Sequence, residues 1–228
     1  MEKARARTIA LMAFAYVMIF AMIAGMFMLA GRWDYWQGWL FGALLVLRMV
    51  ASTVLFADKP EFVFERVNLF ARGTKWWDRV FWAFYGPAFF AVFVIAPLDA
   101  GRFGWSGELP LWAYAAGYAA VFAGFSIHVW SMWVNRFFVS TVRLQKGQAV
   151  IQEGPYKIVR HPGYVAGILL AAGSSLALGS YWGLVPAGMV AVLLIIRTQL
   201  EDETLRKELK GYKEYAKKVR YRLLPGVW

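Results

Sequence analysis

Runs of apolar residues about as long as a bilayer-crossing helix, roughly 20 residues, recur along this chain. They lie near 8–30, 36–57, 78–98 and 110–134. Two shorter runs follow near 162–179 and 181–198, joined by the tight sequence LGSYWG. Hydrophobic residues make up 60% of the chain, against about 45–50% in soluble domains. No Ser/Gly/Pro-rich linker divides it. The expected fold is an all-α integral membrane protein of about six transmembrane helices, forming a single membrane domain over 1–228. Four N-terminal spans occupy 1–135. A loop, a helical hairpin and an amphipathic C-terminal helix occupy 136–228. The first run follows the basic EKARAR, as in a signal peptide. It is too long for a signal region and lacks a small-residue cleavage site, so it reads as a retained anchor.

Loop charge supports an even number of spans. Basic residues collect at Lys3, Arg5 and Arg7, at Lys59, Arg66, Arg72, Lys75 and Arg79, and at Arg136, Arg143, Lys146, Lys157 and Arg160. Eight more follow from Arg206 onward, whereas the opposite loops hold only Arg32 and Arg102. With six spans all the basic segments fall on one side, which the positive-inside rule makes cytoplasmic, with both termini inside. The net charge of +11 then reflects loops facing an anionic leaflet rather than a nucleic-acid partner. The absence of cysteine excludes disulfides, thiol catalysis and Cys-based metal sites, and two histidines offer little to a metal centre. No metal is expected. Nothing in the sequence sets the oligomeric state.

Trp33, Tyr35, Trp36 and Trp39 read as an aromatic belt at one interface, and Trp76 and Trp77 at the other. Arg48 falls well inside the second span, where it would snorkel to headgroups or pair with a carboxylate. His128, inside the fourth span, reads as a helix-to-helix hydrogen-bond partner.

The chemistry concentrates near GPYKIVRHPGY, residues 154–164. Gly154 and Pro155 form a turn, and Pro162 suits the first turn of a helix, where its missing N–H costs nothing. Arg160 and His161 therefore stand at the mouth of the fifth span, beside free helix N–H groups that attract anions. An anchor of basic side chains to headgroups explains that placement equally well. The hairpin then returns Arg197 and Glu201, four residues apart on one helical face, to the same interface, followed by Asp202 and Glu203. Either a polar pocket or an interfacial salt-bridge cluster results. Residues 199–219 continue as a polar helix, with Leu200, Leu205, Leu209, Tyr212, Tyr215 and Val219 at helical spacing. It would lie on the membrane or cap the pocket.

The ordered set GPYKIVRHPGY, RTQLEDETL and GYKEYAKKVRYRLLP, over about 136–228, resembles the isoprenylcysteine carboxyl methyltransferase and phospholipid methyltransferase family of membrane enzymes. The resemblance implies S-adenosyl-L-methionine as cofactor. It implies a cofactor site lined by Tyr156, His161, Pro162, Gly163 and Tyr164, with Glu201 closing it. It further implies contacts from Gln148, Ala149, Val150 and Ile151, and a polar contact from Arg143. Relatives often carry His at the position of Gln148. Arg197 would bind the methyl acceptor, and Asp202 stands where the family has a second Glu. Aromatic faces favour a sulfonium cation, and a carboxylate pairs with an ammonium. A carboxylate acceptor is already ionised at neutral pH and needs only a guide, for which the Arg197 fork is suited. An amine acceptor must lose a proton, with Glu201 or Asp202 as base.

The function expected is therefore methyl transfer to a lipidic acceptor, foremost the carboxylate of an isoprenylcysteine-type substrate. That substrate is a prenylated small molecule or protein reaching a cytoplasmic-face site through the bilayer. A phospholipid amine or a small thiol is the alternative acceptor. Membrane sterol reductases that bind NADPH resemble this C-terminal half too. Their box runs on to Phe-Gly-Glu, whereas here Tyr164 is followed by VAGI. A transporter would show broken midplane helices and repeated halves, and neither is present in the sequence.

Overall fold

The computed structural model describes residues 2–55 and 71–228, without the side chains of 2–9 and 11. Lys59 and Arg66 lie outside the described residues. Every regular element described is helical. The elements are α1 (Glu2–Ala30), α2 (Trp36–Leu55), α3 (Trp76–Pro97), α4 (Leu111–Val134), α5 (Pro162–Ala177), α6 (Leu184–Glu208) and the short α7 (Tyr212–Lys218). A π-turn, Leu98–Phe103, extends α3, and a 3-10 turn, Gly154–Lys157, precedes α5.

Five helices are long and apolar enough to cross a membrane. The chain is an all-α integral membrane protein. The expected fifth span, α5, has only 16 residues, a rise of about 24 Å at 1.5 Å per residue. That is short of the roughly 30 Å hydrocarbon core. Pro162 fixes its start, and Gly179, at φ +84°, ends it in a left-handed turn. Its partner α6 has 25 residues, about 37 Å, and overhangs the hairpin at one end. That overhang carries Arg197, Glu201 and Asp202.

Helices associate in a bilayer by close packing rather than by hydrophobic exclusion. The α4/α5 contact is the most extensive between described helices and depends on small residues. A Cβ on Gly173 would sit 2.8 Å from the Gly117 carbonyl oxygen and 2.9 Å from the Val121 nitrogen. Met26, Phe41, Val92, Val121, Leu178 and Val190 fill the core between the helices. At the end remote from the overhang, buried Asp99 accepts from Ser106 N at 2.7 Å, Ser106 Oγ at 2.5 Å and Ser180 Oγ at 2.5 Å, tying the hairpin turn to the end of α3. Tyr35 departs from the aromatic belt. It is buried beside exposed Trp33, Trp36 and Trp39 and donates to the Leu178 carbonyl at 2.5 Å. A hydroxyl needing a partner and a ring with an apolar niche explain the difference.

The polar helix expected over 199–219 is interrupted. α6 runs straight through Arg197 to Glu208, and Gly211, at φ +84°, reverses the chain into α7. The break lets Tyr212, Tyr215 and Ala216 turn back and bury against Tyr156, Val150, Leu205 and Leu209. α7 thus caps the foot of the hairpin.

Candidate active site

A cavity with about 890 Å³ of empty space, including its open mouth, lies at that foot. Its walls are the irregular segment after α4, the 3-10 turn, the start of α5, the overhang of α6, and α7. Arg143, Gln148, Ala149, Val150, Ile151, Tyr156, His161, Pro162, Gly163, Tyr164 and Glu201 all line it. Phe137, Phe138, Thr141, Tyr212 and Tyr215 join them. Arg197 and Asp202 do not line it.

The chain locks this shape locally. Asn135 ends α4 and donates from Nδ2 to the Tyr156 hydroxyl at 3.0 Å, while its Oδ1 accepts from Phe137 N at 2.9 Å. Tyr215 donates to the Tyr156 carbonyl at 2.7 Å. Gln148 braces its own loop, its Oε1 accepting from Gln145 N at 2.9 Å. Gly154 has φ +56° and lies so close to Trp130 that a Cβ would meet the indole Nε1 at 2.9 Å.

Glu201 is the one acidic group among the described lining residues. Tyr164 donates its hydroxyl to Glu201 Oε2, and His161 Nδ1 lies 3.6 Å from the same oxygen. The His161 and Tyr164 rings are parallel, with centroids 5.6 Å apart. Side-chain burial of Glu201 is incomplete, at 21% exposure, so its carboxylate keeps a face toward the cavity.

Asp202, the next residue, points the other way and is fully buried. It accepts from Arg160 Nε at 2.7 Å, Arg160 Nη2 at 3.1 Å, Arg206 Nε at 2.8 Å, Arg222 Nε at 3.2 Å and the Tyr212 hydroxyl at 2.8 Å. His161 Nε2 lies 3.4 Å from it. Arg160 also donates from Nη1 to the Val219 and Arg220 carbonyls, both at 2.7 Å. The Arg160 and His161 backbone N–H groups donate to the Tyr221 and Arg222 carbonyls, each at 3.0 Å. Asp202 is thus the hub that fastens the C-terminal tail behind the cavity. Its oxygens are taken by these donors, which leaves it no free lone pair for an incoming amine.

Arg197 is buried behind Tyr164. Its Nη2 lies 2.8 Å from Asp78 Oδ1 and donates to the Ser140 carbonyl at 2.5 Å. Its guanidinium covers the rings of Phe81 at 4.3 Å and Tyr164 at 5.2 Å. Asp78 Oδ2 accepts from Val142 N at 2.7 Å, so α3 holds the cavity segment as well as Arg197. Sequence reading missed Asp78. An acid in the first turn of a span, in WWDRVFW, was the available signal.

Burial alone would lower the His161 pKa, but hydrogen bonds to Asp202 and Glu201 reverse that and raise it above the ordinary histidine value. Burial, reinforced by Asp202, pushes the Tyr212 phenol well up, so it stays a donor.

Residues 112–211 match a family model described as phospholipid methyltransferase. Over these residues the chain is similar to that family. The match runs from the start of α4 to the turn before α7 and so covers the cavity walls other than α7. No curated protein matches the chain.

The cavity chemistry fits the cofactor this family uses. Tyr156, Tyr164 and Tyr212 offer aromatic faces to a sulfonium, Glu201 offers a carboxylate to an ammonium, and Val150 and Ile151 offer an apolar wall to a purine.

Proposed function

We propose that this chain transfers a methyl group from S-adenosyl-L-methionine to a lipid acceptor, with the phospholipid amine as the acceptor best supported. The observation that carries the reading is Glu201: a carboxylate facing a cavity of aromatic and apolar walls, with its other contacts made by Tyr164 and His161. When bound, the cofactor supplies an activated methyl on a sulfonium. The chain's own residues bind and orient. Tyr156, Tyr164 and Val150 grip the cofactor, and Glu201 attracts cationic groups of the cofactor and the acceptor. Holding the acceptor about 3–3.5 Å from the methyl supplies much of the rate. A carboxylate acceptor of the isoprenylcysteine type is less well supported. Arg197, its expected guide, is engaged by Asp78 and the Ser140 carbonyl and does not line the cavity. The basic loops favour a cytoplasmic placement of both termini and of the cavity.

The test is equilibrium binding of S-adenosylmethionine to the detergent-purified protein by calorimetry, with NADPH as comparator. Turnover on vesicles of phosphatidylethanolamine is measured against a farnesylcysteine analogue. Saturable S-adenosylmethionine binding that Glu201→Gln weakens by about tenfold, or 1.4 kcal/mol, together with methylation of the phospholipid, is the expected result. Methylation of the farnesylcysteine analogue alone would return the carboxylate reading. Binding of NADPH alone would overturn methyl transfer.

A further inference from the structure

A second recess lies away from the cavity, between α2 and α4, with about 1100 Å³ of empty space including its open side. Leu44, Leu47, Ala51, Phe122, Phe125 and Val129 line it, and Arg48 is the one charged residue among the described lining. α2 packs closely on α1 but not on α4, and the recess opens between them. Leu47, Phe122 and Trp133 on its rim are exposed, as surfaces facing lipid are.

Arg48 is unlike the other intramembrane charges of this chain. Arg197 has Asp78, whereas among the described residues no acidic one lines the recess around Arg48. Its Nε is buried without a hydrogen-bond partner. Its guanidinium rests over the Phe125 ring at 4.7 Å. A cation held in hydrocarbon without an anion costs several kcal/mol, and the one aromatic face that the described residues give Arg48 returns only about 0.5–2 kcal/mol. A basic recess between transmembrane helices is a known type of lipid-phosphate site.

We infer that the α2–α4 recess binds a phospholipid of the surrounding bilayer, with the lipid phosphate on Arg48 and one acyl chain along Leu44, Leu47 and Phe122. The phosphate supplies an anion that the described residues lining the recess do not. The apolar walls match the chain that accompanies it. α4 links the recess to the cavity: Phe125 lies one turn from His128, whose ring meets edge-on that of the cavity-lining Phe138 at 5.5 Å. The inference stands independently of the methyl-transfer reading, because it concerns retention of a lipid rather than turnover.

The test is native mass spectrometry and thermal unfolding of the detergent-purified chain with dioleoylphosphatidylglycerol, and with dioleoylglycerol, which has the same chains and no phosphate. One phosphatidylglycerol retained per chain, with a raised Tm, is expected, and neither effect with dioleoylglycerol. Arg48→Gln should cut retention at least fivefold. Ala51→Trp fills the recess while keeping Arg48 and should do the same, and it decides the matter if Arg48→Gln fails to fold. Equal retention by the wild type and both variants, or equal stabilisation by dioleoylglycerol, overturns the inference. So does a dimer that forms without lipid and is lost in Arg48→Gln, which would give the recess to a second copy.

Discussion

Arg197 on α6 lies 2.8 Å from Asp78 on α3, and the pair joins a helix inside the family match to one outside it. Both side chains are almost wholly buried, at 6% and 0% exposure. Removing one member of such a pair strands the other charge and costs about 3–5 kcal/mol, whereas replacing both by apolar residues is close to neutral. Asp78→Leu is therefore expected to lower stability by that amount, and adding Arg197→Met should recover a large part of it. Thermal unfolding in one detergent checks this. A double variant no more stable than Asp78→Leu would mean the pair is not a closed electrostatic unit.

Tyr164 presents two features to the cavity, a ring face and a hydroxyl held by Glu201. They are separable. Tyr164→Phe keeps the face and should weaken S-adenosylmethionine binding only a few-fold. Tyr164→Leu removes the face as well and should lose a further factor of about 2–30, the range of one cation–aromatic contact of about 0.5–2 kcal/mol. Calorimetric titration of both variants measures the difference. Equal affinities would remove the ring from the binding site.

Asp202 gathers donors from α6, α7, the tail and the mouth of α5. Asp202→Asn keeps the shape but surrenders the charge that holds three arginines, and should cost about 3–5 kcal/mol as a buried pair broken on one side. The tail should also loosen. Proteolysis after Arg220 or Arg222 is expected to speed up in Asp202→Asn and to stay slow in Glu201→Gln. Similar cleavage of both variants would deny Asp202 its role as the fastening point.

How much of this was legible in the sequence follows from what each element depends on. Span positions were readable because about 20 apolar residues have few other uses. The grouping around GPYKIVRHPGY was readable because turn residues and Pro162 fix the chain there. What escaped depends on long-range partners. Nothing local distinguishes Glu201 from Asp202, yet only Glu201 lines the cavity, and the two have different work. Arg197 looked available only because Asp78, more than a hundred residues earlier, was unread. Phe137, Phe138 and Thr141 lie in a segment without periodicity, where no pattern marks a lining residue. The break after Glu208 rested on one glycine, whose left-handed backbone became visible only once Tyr212 and Tyr215 were seen folding back.

His161 is the group through which pH should act. Its pKa is raised on folding, because the hydrogen bonds to Asp202 and Glu201 outweigh the burial that lowers it. A raised value means that the folded state binds the proton more tightly than the unfolded chain does. The stabilisation is complete below the ordinary histidine pKa of about 6.5 and is lost as pH rises through the higher folded value. Tm in detergent should therefore decline over that window on the alkaline side of 6.5. His161→Gln, which can donate one hydrogen bond but carries no charge, should be less stable than wild type at acid pH and should show a flatter profile above it. Parallel Tm profiles for the two proteins from pH 5.5 to 9 would show that the imidazolium is not what Asp202 and Glu201 hold.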